Sequence, residues 1–403
     1  MKLHKNIIVK TKSLDFMNTA AMIPQRLAEI GSSSAEPTTA PDSYNVNLVA
    51  NALHPKKLNL RIRKIEEHSA DVKSYYLTWE NSVPTPYFRA GQYLTVQLKV
   101  GSSVLTRPYS LASSPASALH GEYHIMVKRV PDGFASGYIL DNWQVGDKIT
   151  AFAPEGNFVY EPLRDAKNVV GLAGGSGITP FLSFARAIAD GTEDFNLTLL
   201  YGARNKDEIV FKDELDEIAR TCDKVKVIYV LSEAKGTTAG YEKGFIGADL
   251  IQKYAPENEK YSVFVCGPGA MYRFLGGELP KLGIADKYIR MEMSAGARKL
   301  ADEPGYPTEL LGKTFRLTVI NRDEKIEAEC KADDSILCSL EKAGIAVPAR
   351  CRSGECGFCR SKLIGGEVFI PQGVDKRRIA DARFGYIHPC CTYPLGDITI
   401  KIN

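Results

Sequence analysis

Between Leu58 and Ala153 apolar and polar positions alternate over short runs, LNLRIRKI, VKSYYLTW, QYLTVQL, EYHIMVKR and KITAFA, with turn residues between them. Period-two alternation without a sustained helical repeat reads as strands, and several in so short a stretch predict a closed antiparallel barrel. At Lys167 the rhythm changes. KNVVGLA, LTLLYGA, KVKVIYV, SVFVCG and KYIRMEM are near-continuous apolar runs, separated by helical stretches such as Pro180–Ala189, Lys212–Thr221 and Ala270–Leu282. Fully apolar strands alternating with helices predict an α/β domain with a parallel sheet covered on both faces. Residues 295–311 are charged and carry Gly and Pro, as a linker would. A small α+β pattern comes next: strands TFRLTVI and KIEAEC, a helix from Asp334 to Ala343, then a cysteine loop.

Residues 1–57 stand apart from this pattern. Ser13 to Ile30 has the spacing of one or two short amphipathic helices broken near Pro24, and Gly31 to Ser43 is a polar, Pro-containing linker. A packing arm or tether is the plain expectation and a dimer contact the sharper one; the oligomeric state stays open. The expected boundaries are 1–57 for the arm, 58–165 for the barrel, 166–294 for the α/β domain, 295–311 for the linker and 312–403 for the last domain.

Composition narrows the function classes. The 403 residues are 44% hydrophobic, 25% charged and 9% aromatic, values of folded globular domains and not of a disordered chain. Lys and Arg number 51 against 48 Asp and Glu, and the net charge of +3 gives no overall field for nucleic acid. No apolar run approaches the ~20 residues that span a bilayer, so membrane insertion is not expected. Lys2, Lys5, Lys10 and Lys12 precede a mildly apolar stretch, but Asp15, Asn18 and Pro24 interrupt it, a poor signal peptide. The expected location is cytoplasmic.

Nine cysteines are too few for a disulfide scaffold, yet five of them cluster. Cys351, Cys356 and Cys359 form C-x4-C-x2-C, and Cys390 and Cys391 are adjacent downstream. This is the plant-type ferredoxin spacing for a 2Fe–2S cluster held by four thiolates. Gly354 and Gly357 let the loop curl closely enough to offer N–H groups to sulfur. A zinc site would want paired C-x2-C knuckles, and only one such pair occurs. From the residues alone the fourth ligand is Cys390 or Cys391. The segment resembles plant-type ferredoxins, in which that ligand stands four residues before a proline; Pro394 then selects Cys390 and leaves Cys391 a buried non-ligand. Cys330 and Cys338 fall on a strand and a helix, as small core residues.

Three further motifs precede the cysteines. Arg107-Pro108-Tyr109-Ser110 ends a barrel strand, and Gly133-Phe134-Ala135-Ser136 comes after it, just beyond Lys128. Gly174-Gly175-Ser176-Gly177-Ile178-Thr179-Pro180 leaves an apolar strand and opens a helix, whose free N–H groups suit a pyrophosphate. Cys266-Gly267-Pro268 ends another strand. Each is weak alone. In this order they resemble the ferredoxin–NADP reductase superfamily with a C-terminal plant-type ferredoxin domain, over about residues 58–403. The domain order is similar to that of phthalate dioxygenase reductase and hybrid-cluster-protein reductase.

The resemblance implies a flavin-binding barrel, an NAD(P)-binding α/β domain and a β-grasp ferredoxin domain. It implies that Arg107 binds flavin phosphate, Tyr109 packs on the flavin, Ser110 bonds near its N5, and the Gly133–Ser136 turn holds a phosphate beside Lys128. It further implies that Gly174–Pro180 holds the nicotinamide dinucleotide, with Cys266, Gly267 and Pro268 beside the nicotinamide and Glu292 shaping the site. Relatives close this domain with an aromatic residue where this chain has Met293. FAD is the expected flavin, with FMN open beside it. NADPH-using relatives place Arg after the Ser that follows the third strand; here Ser232 is followed by Glu233, whose charge opposes a 2′-phosphate, so NADH is expected. Tyr241, Lys243 and Arg204 keep NADPH open.

The implied activity is NADH-dependent reduction of the flavin and delivery of single electrons through the cluster to a protein acceptor, an oxygenase component being the commonest. Around the cysteines Arg350, Arg352, Arg360, Lys376, Arg377, Arg378 and Arg383 outnumber acids, a solvated face or the docking face for an acidic partner. Two other readings share the motifs: a non-catalytic redox sensor or electron store, and a flavin-only reductase with a structural cluster.

Overall fold

The computed structural model describes residues 20–28, 45–53, 55, 57–79, 85–101, 103–131, 133–233, 239–292 and 300–402. Two compact units emerge, Met1–Leu53 and His54–Asn403. In the first, residues 20–28 (α1) and Asn45–Leu53 (α2) are helical, and Pro24 lies inside α1 without breaking it. The lysine-rich start and the Gly31–Ser43 stretch lie outside the described residues.

The second unit opens with six strands, β1 (Leu58–Ser69), β2 (Val72–Trp79), β3 (Tyr93–Val100), β4 (Ser103–Ser110), β5 (Glu122–Lys128) and β6 (Lys148–Glu155), in the antiparallel order β4-β3-β6-β1-β2-β5. A bridge from Leu111 to Ile125 brings the two ends of this order together, so the sheet curls into the expected barrel. Alternate residues, Leu58, Leu60 and Ile62 on β1 and Leu94, Val96 and Leu98 on β3, fill its core. The strand expected from its closing motif and not from clean alternation is β4, where Pro108 and Arg107 interrupt the pattern; Pro108 stands opposite Thr95 on the terminal strand, where a missing N–H is tolerated. Two short helices complete this region, α3 (Pro115–Leu119) and α4 (Phe134–Asn142).

The next sheet is wholly parallel. Strands β7 (Asn168–Gly174), β8 (Asn196–Ala203), β9 (Val225–Leu231), β10 (Glu242–Lys243), β11 (Tyr261–Cys266) and β12 (Ile289–Met291) run in the order β10-β9-β8-β7-β11-β12. Helices α5 (Thr179–Ala189), α6 (Lys212–Thr221), α7 (Ala248–Tyr254) and α8 (Gly269–Glu278) connect them. The chain leaves β7 in one direction and returns beside it as β11. The carboxyl ends of that pair are the switch point at which open α/β sheets bind ligands.

The last sheet mixes directions: β13 (Thr314–Asn321), β14 (Glu324–Lys331), β15 (Ser361–Gly365), β17 (Tyr386–Ile387) and β19 (Ile398–Ile402), ordered β14-β13-β19-β15-β17, with β13 and β19 parallel. A hairpin-like pair, β16 (Val368–Phe369) and β18 (Tyr393–Pro394), lies apart. Helix α9 (Ile336–Lys342) starts one residue after Ser335, whose hydroxyl accepts from the Cys338 N–H, and α10 (Ile379–Arg383) precedes β17. The stretch read as a linker is packed from residue 300 onward: Leu300 and Tyr306 are buried with Tyr393, and the Tyr306 hydroxyl donates to the Ala332 carbonyl at 3.1 Å. Among the described residues no helix is long and apolar enough to cross a membrane.

Barrel and parallel sheet meet through α5. Arg186 grips Glu214 with two nitrogens at 2.6 and 2.8 Å and spends Nη1 on the Ala112 carbonyl (2.8 Å) and His124 Nδ1 (2.9 Å). A guanidinium only donates, so His124 Nδ1 accepts and its proton sits on Nε2, aimed at Ser74 Oγ 2.8 Å away. Ser74 in turn faces His68 Nε2 at 2.8 Å, giving one directed chain across the joint. Burial, reinforced by Arg186, holds His124 well below its usual range, and burial also lowers His68. Below the ordinary histidine range the unfolded chain therefore takes up protons that the native joint refuses, and stability falls as pH falls. The thermal midpoint of the native protein should drop between pH 7 and 5.5 more steeply than that of His124→Gln; parallel slopes would exclude His124 as the source.

Candidate redox site

Strand β11 lies against β7 with Cys266 opposite Ala173, so the glycine run and the Cys-Gly-Pro turn leave the sheet side by side. Gly174 ends β7, Gly175–Ile178 form a 3-10 turn with Gly175 at φ +53°, and α5 begins at Thr179 with Pro180 in its first turn. Thr179 Oγ1 donates to the Ser176 carbonyl at 2.9 Å and tightens the turn. The glycines are needed for approach. A Cβ on Gly177 would stand 2.1 Å from the Cys266 carbonyl oxygen, and the Met271 sulfur wedges between Gly174 and Gly267, 2.8 and 2.5 Å from where theirs would be. Pro268 then caps α8.

Cys266 is buried, and burial, with Glu292 nearby, pushes its thiol well up. It is a neutral, compact wall, not a nucleophile. Glu292 comes directly after β12; its N–H donates to the Val265 carbonyl at 2.9 Å and its own carbonyl accepts from the Tyr272 hydroxyl. The same hydroxyl accepts from the Gly267 N–H at 3.3 Å, so one tyrosine pins both strand ends. Burial, then the charges of Glu355 and Cys351, raises the Glu292 carboxyl to about 8. Those two residues belong to the cysteine loop, so Glu292 is within electrostatic reach of the last domain as well as of Cys266. Met293 lies outside the described residues.

On the barrel, Tyr109 packs against the core and Ser110 pairs with Tyr93. Arg107 is largely enclosed; its Nη1 donates to the Thr106 carbonyl at 2.7 Å and to the Glu341 carboxylate at 3.3 Å. Arg352 reaches the same carboxylate at 2.6 Å. Two guanidiniums against one carboxylate leave a surplus positive charge in a confined place, the chemistry of an anion site, and a flavin phosphate fits it. The Gly133 turn fits as well: α4 opens at Phe134 with no side-chain cap, so the N–H groups of its first turn, Ala135 and Ser136 included, are left for an anion. Ser136 Oγ itself closes the turn, accepting from Val130 N–H at 3.0 Å and facing the Gly133 carbonyl at 3.3 Å.

Lys128, at the end of β5, points across to the other domain: its Nζ is 3.8 Å from where a Cβ on Gly175 would stand. Lys128, Gly175, Ser176 and Arg204 share a cleft of about 530 Å³ between barrel and parallel sheet. At its rim Arg204 pairs with Glu208 at 2.5 Å, and the backbone N–H of Glu233 donates to the Arg204 carbonyl at 2.8 Å. Ser232 donates to Ala203 beside it. Tyr241 packs on the core near Tyr229, and Lys243 is exposed on β10.

In the cysteine loop the sulfurs of Cys351 and Cys356 face each other, as do those of Cys359 and Cys390, and Cys351 also meets Cys390. The contact with Cys356 and the N–H groups of Ser353 and Cys356, 3.4 and 3.3 Å from its sulfur, favour the Cys351 thiolate. Gly354, at φ +85°, leaves no room for a side chain: its Cβ would stand 2.7 Å from the Val374 carbonyl. The Cys391 sulfur also lies beside that of Cys390 and is 3.5 Å from the His388 carbonyl. Among the described residues no three His, Cys, Asp or Glu side chains converge as a single-ion site; two facing thiol pairs match the two irons of a 2Fe–2S cluster instead.

The basic residues around the loop do not form one open face. Arg350 pairs with Glu155 of the barrel, Arg352 with Glu341, Arg360 with Asp381 and Arg377 with Asp375. Lys376, Arg378 and Arg383 remain exposed, beside exposed Ile379 and Phe384. Sequence reading misses Glu341, Tyr272 and Met271, since a lone acid on a helix and two residues after a turn carry no spacing signal.

Gly177→Ala forces a methyl into the Cys266 backbone. A loss of about 3 kcal/mol in stability is expected, a magnitude typical of overpacked or strained sites, and urea unfolding measures it; a loss below about 0.5 kcal/mol, the level of neutral surface changes, would show that the turn is free to move away.

Three family models match the chain in order: an oxidoreductase FAD-binding domain over residues 59–160, an oxidoreductase NAD-binding domain over 172–276 and a 2Fe–2S iron–sulfur cluster binding domain over 319–395. The ferredoxin reductase component of 3-ketosteroid-9-alpha-monooxygenase from Mycobacterium tuberculosis is 30% identical over 84% of this chain and 94% of its own. The glycine betaine monooxygenase reductase subunit of Chromohalobacter salexigens is 26% identical over 85% of this chain and 95% of its own. Among solved structures, phthalate dioxygenase reductase superposes with a TM-score of 0.61 at 29% identity, covering 86% of this chain and 98% of its own. Motif order, sheet topology and these likenesses agree, and the chain belongs to the oxygenase-type iron–sulfur flavoprotein reductases, with FAD-binding, NAD-binding and 2Fe–2S domains in succession.

Proposed function

We propose that this chain takes a hydride from NADH and delivers single electrons to a partner metalloprotein such as an oxygenase component. The observation that carries this reading is that the close-packed Gly174–Gly177 and Cys266–Pro268 turns at the switch point of the parallel sheet occur in one chain with a cysteine loop whose N–H groups aim at the Cys351 sulfur. When bound, the flavin and cluster supply the conversion of an electron pair into single electrons. The protein's part is placement.

Arg107 and the α4 N-terminus hold flavin phosphate, with Tyr109 against the ring and Ser110 near its N5. Gly174–Pro180 cradles the dinucleotide together with Lys128, and Arg204 contacts its ribose or pyrophosphate. Cys266, Gly267 and Pro268 floor the nicotinamide place, where a neutral thiol excludes water without competing for the hydride. Glu292, protonated at neutral pH, bounds that place without adding charge. Glu233 beside Arg204 favours NADH by repelling a 2′-phosphate. Cys351, Cys356, Cys359 and Cys390 hold the cluster. Boundaries near 58, 166 and 312 divide these tasks, and nine thiols with no disulfide among the described residues suit a cytoplasmic setting.

Anaerobic mixing with NADH should bleach the flavin rapidly and then reduce the cluster. No bleaching would leave a sensor or electron store, and bleaching with full turnover of the acceptor in Cys356→Ser would make the cluster structural. Cys390→Ser should abolish the visible cluster spectrum and most bound iron, whereas Cys391→Ser keeps both; the reverse result would reassign the fourth ligand.

The exposed Lys376, Arg378 and Arg383, with Ile379 and Phe384, fit a partner whose docking face is acidic around an apolar centre. Cluster-to-acceptor transfer should then slow about tenfold or more between low salt and 0.3 M salt, and Arg378→Glu with Arg383→Glu should reproduce the slowing at low salt. A flat salt response would remove the acidic partner from the reading.

A further inference from the structure

Cys351 stands between two arginines that both leave their own domain. Arg350 bonds Glu155 of β6 at 2.9 Å and lies over the rings of Phe152, 4.7 Å, and Phe358, 3.9 Å from their centres. Arg352, held at φ +56° in the left-handed region, bonds the Glu341 carboxylate at 2.6 Å and the Thr106 carbonyl of β4 at 3.4 Å. Glu341 is 5% exposed, and its carboxylate also takes Arg107 of β4 at 3.3 Å. One arm thus ends on β6 and the other on β4, two strands that flank β3 in the barrel. A left-handed arginine is a disfavoured backbone state, retained where the surroundings over-determine it. The surroundings here are the carboxylate and carbonyl it binds.

We infer that Arg350–Glu155 and Arg352–Glu341–Arg107 form a two-armed clamp that fixes the cluster loop at Cys351 against the flavin barrel, and that Glu341 and Glu155 are positioning residues for the internal electron step. This rests on the redox function proposed above. In that step one electron leaves the reduced flavin and reduces the oxidised cluster, and no bond is made or broken. Its rate is set by how the two domains are held, to which neither acid contributes chemically. The clamp also explains why basic residues gather beside the first thiol without facing solvent. Arg107 serves two anions, so flavin loading and domain docking share one cation.

Glu341→Gln, Glu155→Gln and the double variant test this in the full-length holoprotein. Stopped-flow absorbance separates flavin bleaching by NADH from the later cluster reduction, and ferricyanide reads the flavin alone. The expected result is a cluster step slowed at least tenfold in the double variant; in Glu155→Gln, which lies outside the flavin phosphate site, the cluster step slows while ferricyanide turnover stays within about twofold of the parent. Scanning calorimetry should show the single transition of the parent splitting in two. Arg352→Lys, which keeps the charge but not the fork, should fall between. A double variant with the parental cluster rate and one transition overturns the clamp. Loss of flavin and ferricyanide turnover in Glu155→Gln overturns it too, since Glu155 would then belong to the flavin site. If Glu341→Gln fails to fold, Glu155→Gln alone must show the slowed cluster step or the proposal falls. Absence of flavin bleaching in the parent protein would fail the redox reading instead, and calorimetry would still judge the clamp.

Discussion

Charge buried at the seams must be neutralised in place, and the arrangement of the three sheets depends on how this chain does so. Each sheet has its own apolar core, and apolar packing alone is non-directional. Orientation comes from arginines that leave one domain and end on another. Arg186 of α5 reaches the barrel at Ala112 and His124 while Glu214 balances it. Arg290 of β12 and Arg164 both hold Asp165, whose side chain is fully buried in the connection between barrel and parallel sheet. Arg350 and Arg352 do the same for the last domain. Such pairs add little net stability against a well-packed apolar substitute, but a misaligned seam would strand a charge, and that penalty selects one relative placement.

Within that frame the nicotinamide wall is built by subtraction. Strands β7 and β11 end side by side, and each runs into a closely packed turn: backbone demands glycine at 177, and at 174 and 267 a side chain would have to displace the Met271 sulfur. Backbone N–H groups are thereby brought forward with no side chain in front of them. Tyr272 completes the wall by tying the Gly267 amide to the Glu292 carbonyl, which is how a strand end in one connection comes to depend on a helix residue in another.

Much of this architecture is legible in the order of residues, and the reason is periodicity. Apolar runs reveal β7, β8, β9 and β11 because strands buried on both faces need few polar residues, the edge strand β12 is read from its apolar residues although it is only half-buried, and alternation reveals five of six barrel strands. β4 escapes because its residues serve a site instead of a core, Arg107 and Pro108 breaking the alternation. The cysteine spacing is legible for the same reason as the glycine run: each motif is a short contiguous string, even though Cys390 and Cys266, which complete them, lie far along the chain. Glu341 is not, because its partners sit 234 and 11 residues away and only the docking of α9 against β4 unites them. The basic cluster misleads in the opposite sense. Seven cations near the thiols read as an open face, while four of them are paired internally.

That division of the cations bears on how an acceptor is recognised. The inward arginines flank Cys351, whereas exposed Lys376, Arg378 and Arg383 lie in the stretch between β16 and β17, with Ile379 and Phe384 among them. On the docking face proposed above, an encounter steered by three exposed charges would be weakly held and readily screened, which would suit a carrier that leaves after each electron. Had Arg350 and Arg352 also faced solvent, an acidic partner would bind more tightly, but the same partner would compete with Glu155 and Glu341 for the residues that orient the cluster loop. Keeping the two sets apart would let docking at the proposed face proceed without disturbing the pairs that hold Arg350 and Arg352.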